Sequence, residues 1–183
     1  CIRDRAEFVY YLLHKPAGYV SATEDTREKT VLDLVPKDGR RNLFPVGRLD
    51  KDSTGLLLLT NDGDLANEIQ RSRNNHEKEY HVRVNTDITE DFIKKMSEGV
   101  EILDTVTKPC KVKKTGTRNF SIILTQGLNR QIRRMCDALH VRVVHLKRVR
   151  IMNIRLGSLR PGEFRTLTRG EEQELRRLVQ KRS

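Results

Sequence analysis

At 183 residues the chain suits one domain, or two small lobes sharing a core, better than two independent domains. Its 36 Lys and Arg outnumber 25 Asp and Glu, giving a formal charge of +11, which points to a polyanionic partner and to nucleic acid first. Membrane and disulfide classes are excluded, because no apolar run, Leu56–Leu59 included, comes near the length that spans a bilayer and the cysteines at positions 1, 110 and 136 have neither framework nor metal-knuckle spacing.

In chain order, Phe8–Leu13 reads as a buried strand closed by His14-Lys15-Pro16-Ala17-Gly18, a loop signal. Thr23–Lys29 reads as an exposed loop. Leu43–Val46 is a short strand that feeds Gly47-Arg48-Leu49-Asp50, and Leu56–Thr60 is a fully apolar central strand ending in the turn Asn61-Asp62-Gly63. A helix follows over Asp64–Ser72, with Asp64 as its N-cap.

Tyr80, Val82 and Val84 alternate with Glu79, His81 and Arg83, the period of a half-buried strand. Thr89 starts a helix stapled by Ile88 and Ile93 and stopped at Gly99, and the gap at Thr86–Thr89 is a candidate hinge. Strands are expected near Val100–Leu103, Cys110–Lys113 and Phe120–Leu124. Asn129 is placed to cap a helix over Arg130–Leu139, whose core stripe is Ile132, Met135, Cys136 and Leu139. Residues 141–156 return to strand alternation, and Thr168 with Glu171 forms a capping box for a last helix. Without a strict βαβ rhythm or a Gly-rich phosphate loop, the fold class is α+β: a mixed, mostly antiparallel central sheet with flanking helices.

Charge is uneven. Between Gly127 and Arg150 lie seven basic residues (Arg130, Arg133, Arg134, Arg142, Lys147, Arg148 and Arg150) and one acid, Asp137. Helical spacing sets Arg130, Arg133 and Arg134 opposite the Ile132 stripe, as guanidiniums able to fork onto phosphates. Asp50, between Gly47 and Gly55 with Arg48 beside it, puts a carboxylate on a loop after a buried strand, where function tends to sit. Alone, an Asp near Gly and Ser more often only holds a turn.

Four separate stretches then carry a resemblance: Leu13–Gly18, Pro45–Gly63, Lys78-Glu79-Tyr80 and Gln126–Met135. Together they resemble the RsuA-type ribosomal RNA pseudouridine synthases, most like the branch of large-subunit pseudouridine synthase F, over essentially the whole chain. The resemblance implies a single bilobed catalytic domain over 1–183 that isomerises a uridine in ribosomal RNA, 23S before 16S or tRNA. It assigns catalysis to Asp50, uracil stacking to Tyr80, a pocket wall to Ile132, the charge partner of Asp50 to Arg133, and a hold on the flipped nucleotide to Arg48. Arg130 and Arg134 are expected on phosphate. Isomerisation oxidises, hydrolyses and transfers nothing, so no cofactor and no metal are expected. The family's small N-terminal RNA-binding domain is not expected within this chain. The protein should be a cytoplasmic monomer with RNA as partner and no membrane. The rival classes are a binding-only RNA module and a hydrolase pairing Asp50 with Asp52.

Overall fold

The computed structural model describes residues 8–21, 29–35, 43–71 and 76–180. The loop expected at Thr23–Lys29 therefore lies almost wholly outside the described residues. In chain order the first elements are β1 (Tyr10–Lys15), β2 (Phe44–Val46), β3 (Thr54–Thr60), α1 (Gly63–Arg71), β4 (Lys78–Val84) and α2 (Glu90–Glu98). There follow β5 (Glu101–Ile102), β6 (Thr105–Val106), β7 (Lys111–Gly116), β8 (Asn119–Leu124) and α3 (Gln131–Ala138). The chain ends in β9 (Val143–Ile151), β10 (Ile154–Arg155), β11 (Phe164–Thr166) and α4 (Arg169–Gln180). These elements divide between two compact units, Cys1–Ser72 with Met152–Ser183, and Arg73–Ile151.

In the first unit β11, β1, β3 and β2 pair antiparallel in that order. Every residue of β1 and β3 is buried, and the register runs from Tyr10 opposite Thr60 to Lys15 opposite Gly55. Apolar runs this short and this completely buried make strands because β-pairing satisfies their amides without water. Asp62, not Asp64, starts α1: its carboxylate accepts from Leu65 N at 3.2 Å. The same carboxylate accepts from the Tyr10 hydroxyl at 2.6 Å and from Arg176 of α4 at 2.7 Å, while Arg176 also reaches the Tyr10 hydroxyl. One Asp thus ties β1, α1 and α4. Thr168 and Glu171 cap α4 reciprocally, at 3.1 and 2.9 Å, as the capping-box spacing requires.

In the second unit β9, β4, β8 and β7 pair antiparallel in that order. Val82, Val84, Phe120, Ile122, Leu124 and Leu146 pack with Phe92 and Met96 of α2 and with Ile132, Met135 and Cys136 of α3 in one core. Thr89 caps α2 through Phe92 N at 3.0 Å, and Gly99 ends it. Gly99 has φ +127° and a Cβ there would meet Thr107 O at 2.5 Å, so only glycine fits. The expected hinge at Thr86–Thr89 is not a boundary. It lies inside the second unit, where Ile88 N donates to Thr117 O at 2.9 Å. Within each unit all strand pairs described are antiparallel, and Val20 with Thr30 makes one isolated parallel bridge, so the α+β expectation holds. No helix among the described residues is long and apolar enough to cross a membrane.

The Tyr10–Asp62–Arg176 cluster should dominate the acid stability of the first unit. Burial alone would raise the Asp62 pKa, but Tyr10, the Leu65 amide and Arg176 outweigh it and hold the carboxyl below its usual range. Glu171 is pulled down to about 2, chiefly by Arg165. Both folded pKa values lie below the unfolded ones, so their stabilisation is complete at neutral pH. It is lost as pH falls through the carboxylate range towards about 2. Asp62→Ala, which leaves Arg176 and the Tyr10 hydroxyl without their acceptor, should cost about 3 kcal/mol in denaturant unfolding and flatten that acid dependence.

Candidate functional site

The loop that carries Asp50 is bracketed by two glycines with positive φ, Gly47 at 69° and Gly55 at 112°, a conformation that other residues rarely adopt. Between them Leu49 is buried, Asp50 is half-buried, and Arg48, Lys51 and Asp52 are exposed. Asp50 O accepts from Ser53 N at 3.0 Å, closing a turn immediately after the carboxylate.

Two residues, Lys15 at the end of β1 and Ser21 beyond it, hold this loop from either side of Asp50. Lys15 is fully buried, and its ammonium donates to Ser53 O at 2.6 Å, Pro16 O at 3.0 Å and Lys51 O at 3.2 Å. Three carbonyls match the three donors of an ammonium. Gly18 N adds a bond to Lys51 O at 2.9 Å. On the other side Ser21 Oγ donates to Leu49 O at 2.8 Å and accepts from Leu49 N at 3.2 Å, while Arg48 Nε donates to Ser21 O at 2.9 Å. Neither Lys15 nor Ser21 stood out as a site residue in the sequence. The available signal was a lysine ending a strand of mostly apolar residues, directly before Pro16.

In the second unit Tyr80 lies on β4 with its half-buried ring packed against the core, opposite Ile122 of β8 and Arg148 of β9. The β4–β9 register shifts between Glu79 and Tyr80: Tyr80 faces Arg148 and Glu79 faces Arg150, leaving Val149 as the extra residue of a bulge. The bulge sends two arginines only two positions apart to opposite faces. Arg148 is buried at 1% exposure on the Tyr80 side, and Arg150 pairs with Glu79 and Glu77, each at 3.2 Å. Lys78 shares the Tyr80 side, and burial followed by the nearby Arg148 charge pushes its pKa down to about 8.

On α3, Ile132 is 4% exposed within the core cluster, and Arg133 and Arg134 are half-buried. Arg130 precedes the helix in the left-handed region at φ 49°. Asn129 does not cap it. Its side-chain oxygen and carbonyl both accept from Arg134 at 2.9 Å, and Gln131 closes the loop by accepting from Leu128 N at 3.1 Å. The expected row of Arg130, Arg133 and Arg134 on one helical side is therefore broken, since Arg130 lies before α3 and Arg134 folds back on Asn129. The basic segment up to Arg150 is likewise not one surface, because Arg148 is buried and Arg150 is paired with two carboxylates.

Residues 9–138 match the family profile described as RNA pseudouridylate synthase. The dual-specificity RNA pseudouridine synthase RluF of Escherichia coli is 51% identical over 99% of this chain, which spans 62% of that relative's length. The ribosomal large subunit pseudouridine synthase B of Bacillus subtilis is 35% identical, covering 96% of this chain and 75% of the relative. Among solved structures, a crystal structure of pseudouridylate synthase superposes with a TM-score of 0.86 at 33% identity, over 92% of this chain and 74% of that one.

Two measurements probe these arrangements. Lys15→Met removes the ammonium from three buried carbonyls; it should cost about 2–3 kcal/mol and speed hydrogen exchange at the Ser53 and Gly18 amides far more than at β8. Lys78 should titrate near pH 8 by NMR of labelled lysine, a signal absent from Lys78→Met.

Proposed function

The chain belongs to the RNA pseudouridylate synthase family, and we propose on that premise that it isomerises uridine to pseudouridine in RNA, with Asp50 as the catalytic carboxylate. The observation that carries this reading is the Gly47–Gly55 loop, which fixes a half-buried Asp50 between two sets of clamping hydrogen bonds. A covalent catalyst gains from such preorganisation, because reorienting a mobile carboxylate would add to the barrier. The glycosidic C–N bond breaks, the same uracil rotates, and a ring carbon bonds to the anomeric carbon; the proton lost from that ring carbon is matched by one gained at the freed ring nitrogen. Atoms and oxidation state balance without a cofactor.

The target base must leave its stack, at a cost of about a few kcal/mol. Tyr80 offers a ring for it, Ile132 an apolar wall, and Arg133 the positive charge that favours an ionised Asp50. Arg48 helps to hold the flipped nucleotide and Arg130 engages backbone phosphate, with Arg134 bracing the loop before α3. Large-subunit ribosomal RNA is the substrate this reading favours, in line with the name of the Bacillus subtilis relative. The dual-specificity label of the Escherichia coli relative calls for a second RNA class in the test, and tRNA is included as that alternative. The protein acts as a cytoplasmic monomer in this reading.

Incubation of the chain with ribosomal and transfer RNA, followed by pseudouridine mapping, should give modification at discrete sites. Asp50→Asn, nearly isosteric, should lose at least about 1000-fold in rate with RNA affinity kept. Arg133→Met should lose rate as well, and combining it with Asp50→Asn should add little, as for two groups acting as a unit. An active Asp50→Asn enzyme overturns the assignment, and RNA bound without any pseudouridine supports the binding-only class instead.

A further inference from the structure

The sheet of the second unit has a face that neither its core nor the roles above use. Residues 79, 81 and 83 of β4 point away from the side shared by Tyr80, Val82 and Val84. The register carries that face across all four strands. One row runs Lys113 (β7), Ser121 (β8), His81 (β4), Lys147 (β9). The next runs Lys111, Ile123, Glu79, Arg150, and a third holds Asn119, Arg83 and His145. Lys111, Lys113, Asn119, His81, Arg83 and His145 are exposed, and Lys147 and Ser121 are half-buried. The bulge at Val149 adds Arg150 to this face while sending Arg148 inward.

The grid holds five cations, Lys111, Lys113, Arg83, Lys147 and Arg150, against Glu79 and its neighbour Glu77, both of which already pair with Arg150. Strand spacing sets Lys113 roughly 14 Å from Lys147 along a row, and Lys111 roughly 7 Å from Lys113 along the strand. No Phe or Tyr lies on these three rows among the described residues. A face with spread cations and no ring to stack on suits the backbone of paired RNA, whose bases are hidden, rather than a splayed single strand. Lysines on β7 alone would fit the protection of an edge strand against aggregation. That account does not reach Arg83 on β4 or Lys147 on β9, which are interior to the order β9–β4–β8–β7 or remote from the β7 edge.

We propose that this sheet face, built on Lys111, Lys113, Arg83 and Lys147, is an RNA-docking surface that holds the phosphate backbone of a duplex segment of the substrate. The proposal rests on the reading of the chain as an RNA-modifying enzyme but concerns the side of the sheet opposite Tyr80. Its signature is salt dependence without sequence preference, since each phosphate contact contributes about 0.7–0.9 to the slope of log affinity against log salt.

The test measures binding of the whole chain to a long-stem RNA hairpin by fluorescence anisotropy at several salt concentrations. Lys111→Gln/Lys113→Gln is compared with Lys94→Gln/Lys95→Gln, which removes the same charge from exposed positions on α2. The first pair should weaken binding about 10-fold at low salt and reduce the slope by roughly 1.4–1.8, and the second should change affinity less than about 2-fold. Adding Arg83→Gln should weaken binding further. Thermal melts of both pairs should match the unmodified chain; should the first pair melt lower, Lys111→Arg/Lys113→Arg must restore binding. Equal losses for the two pairs, or an unchanged slope for the first, overturn the proposal. An equal deficit on an unstructured RNA of the same length overturns the choice of duplex. Pseudouridine formation by the unmodified chain is scored on the same RNA, so absence of product counts against the proposed activity while the binding comparison still decides the face.

Discussion

The ammonium of Lys15 sets the geometry on which the loop around Asp50 depends. A charged amine with no exposure to water must find acceptors, and it finds them in the backbone of the Asp50 loop and of its own segment. Those carbonyls in turn need a donor, because the loop runs in irregular conformation between Gly47 and Gly55, and the ladder hydrogen bonds of β3 begin only at Thr54. Each side of the bargain fixes the other. Ser21 repeats the arrangement at Leu49, so the loop is held at both flanks of Asp50 while Asp50 itself stays half-buried. The carboxylate is placed by its neighbours' backbone.

The second unit solves a different problem: how to keep many cations in a small sheet without mutual repulsion. The bulge at Val149 separates them by face. Arg148 is turned to the Tyr80 side, close to Lys78, whose burial and then the Arg148 charge bring that amine's pKa down to about 8. Arg150 goes to the other side, where Glu77 and Glu79 neutralise part of the field. The two sides of one sheet thereby acquire different characters, one packed on the core around Tyr80 and α3 with Arg148 buried, the other largely exposed and basic.

Stability is anchored away from these loops. Asp62 joins β1, α1 and α4 through one carboxylate, and the capping box of Thr168 and Glu171 fixes the start of α4. Because these bonds involve ionised groups inside or beside the core, the first unit's integrity is tied to pH far below neutrality, and the Asp50 loop inherits a rigid support across the physiological range.

Local rules were legible in the chain itself. The alternation of Tyr80, Val82 and Val84, the Thr89 cap with its Gly99 stop, and the Thr168–Glu171 box all depend on residues within a few positions of one another, so spacing alone determined them. The family likeness of the loop around Asp50 was legible for the same reason, being a continuous run. What tertiary structure decided was the fate of polar groups whose partners are far away in sequence. Helical spacing could not tell that Arg134 folds back on Asn129, nor could composition tell that Arg148 is buried while Arg150 is paired. Asp62 rather than Asp64 capping α1 follows from a tyrosine and an arginine 52 and 114 positions away. Lys15 reads as one more basic residue until Lys51 and Ser53 are brought to it across 36 and 38 positions. A charge's role depends on whether the fold leaves it water or gives it a partner, and that choice is made only when distant segments meet.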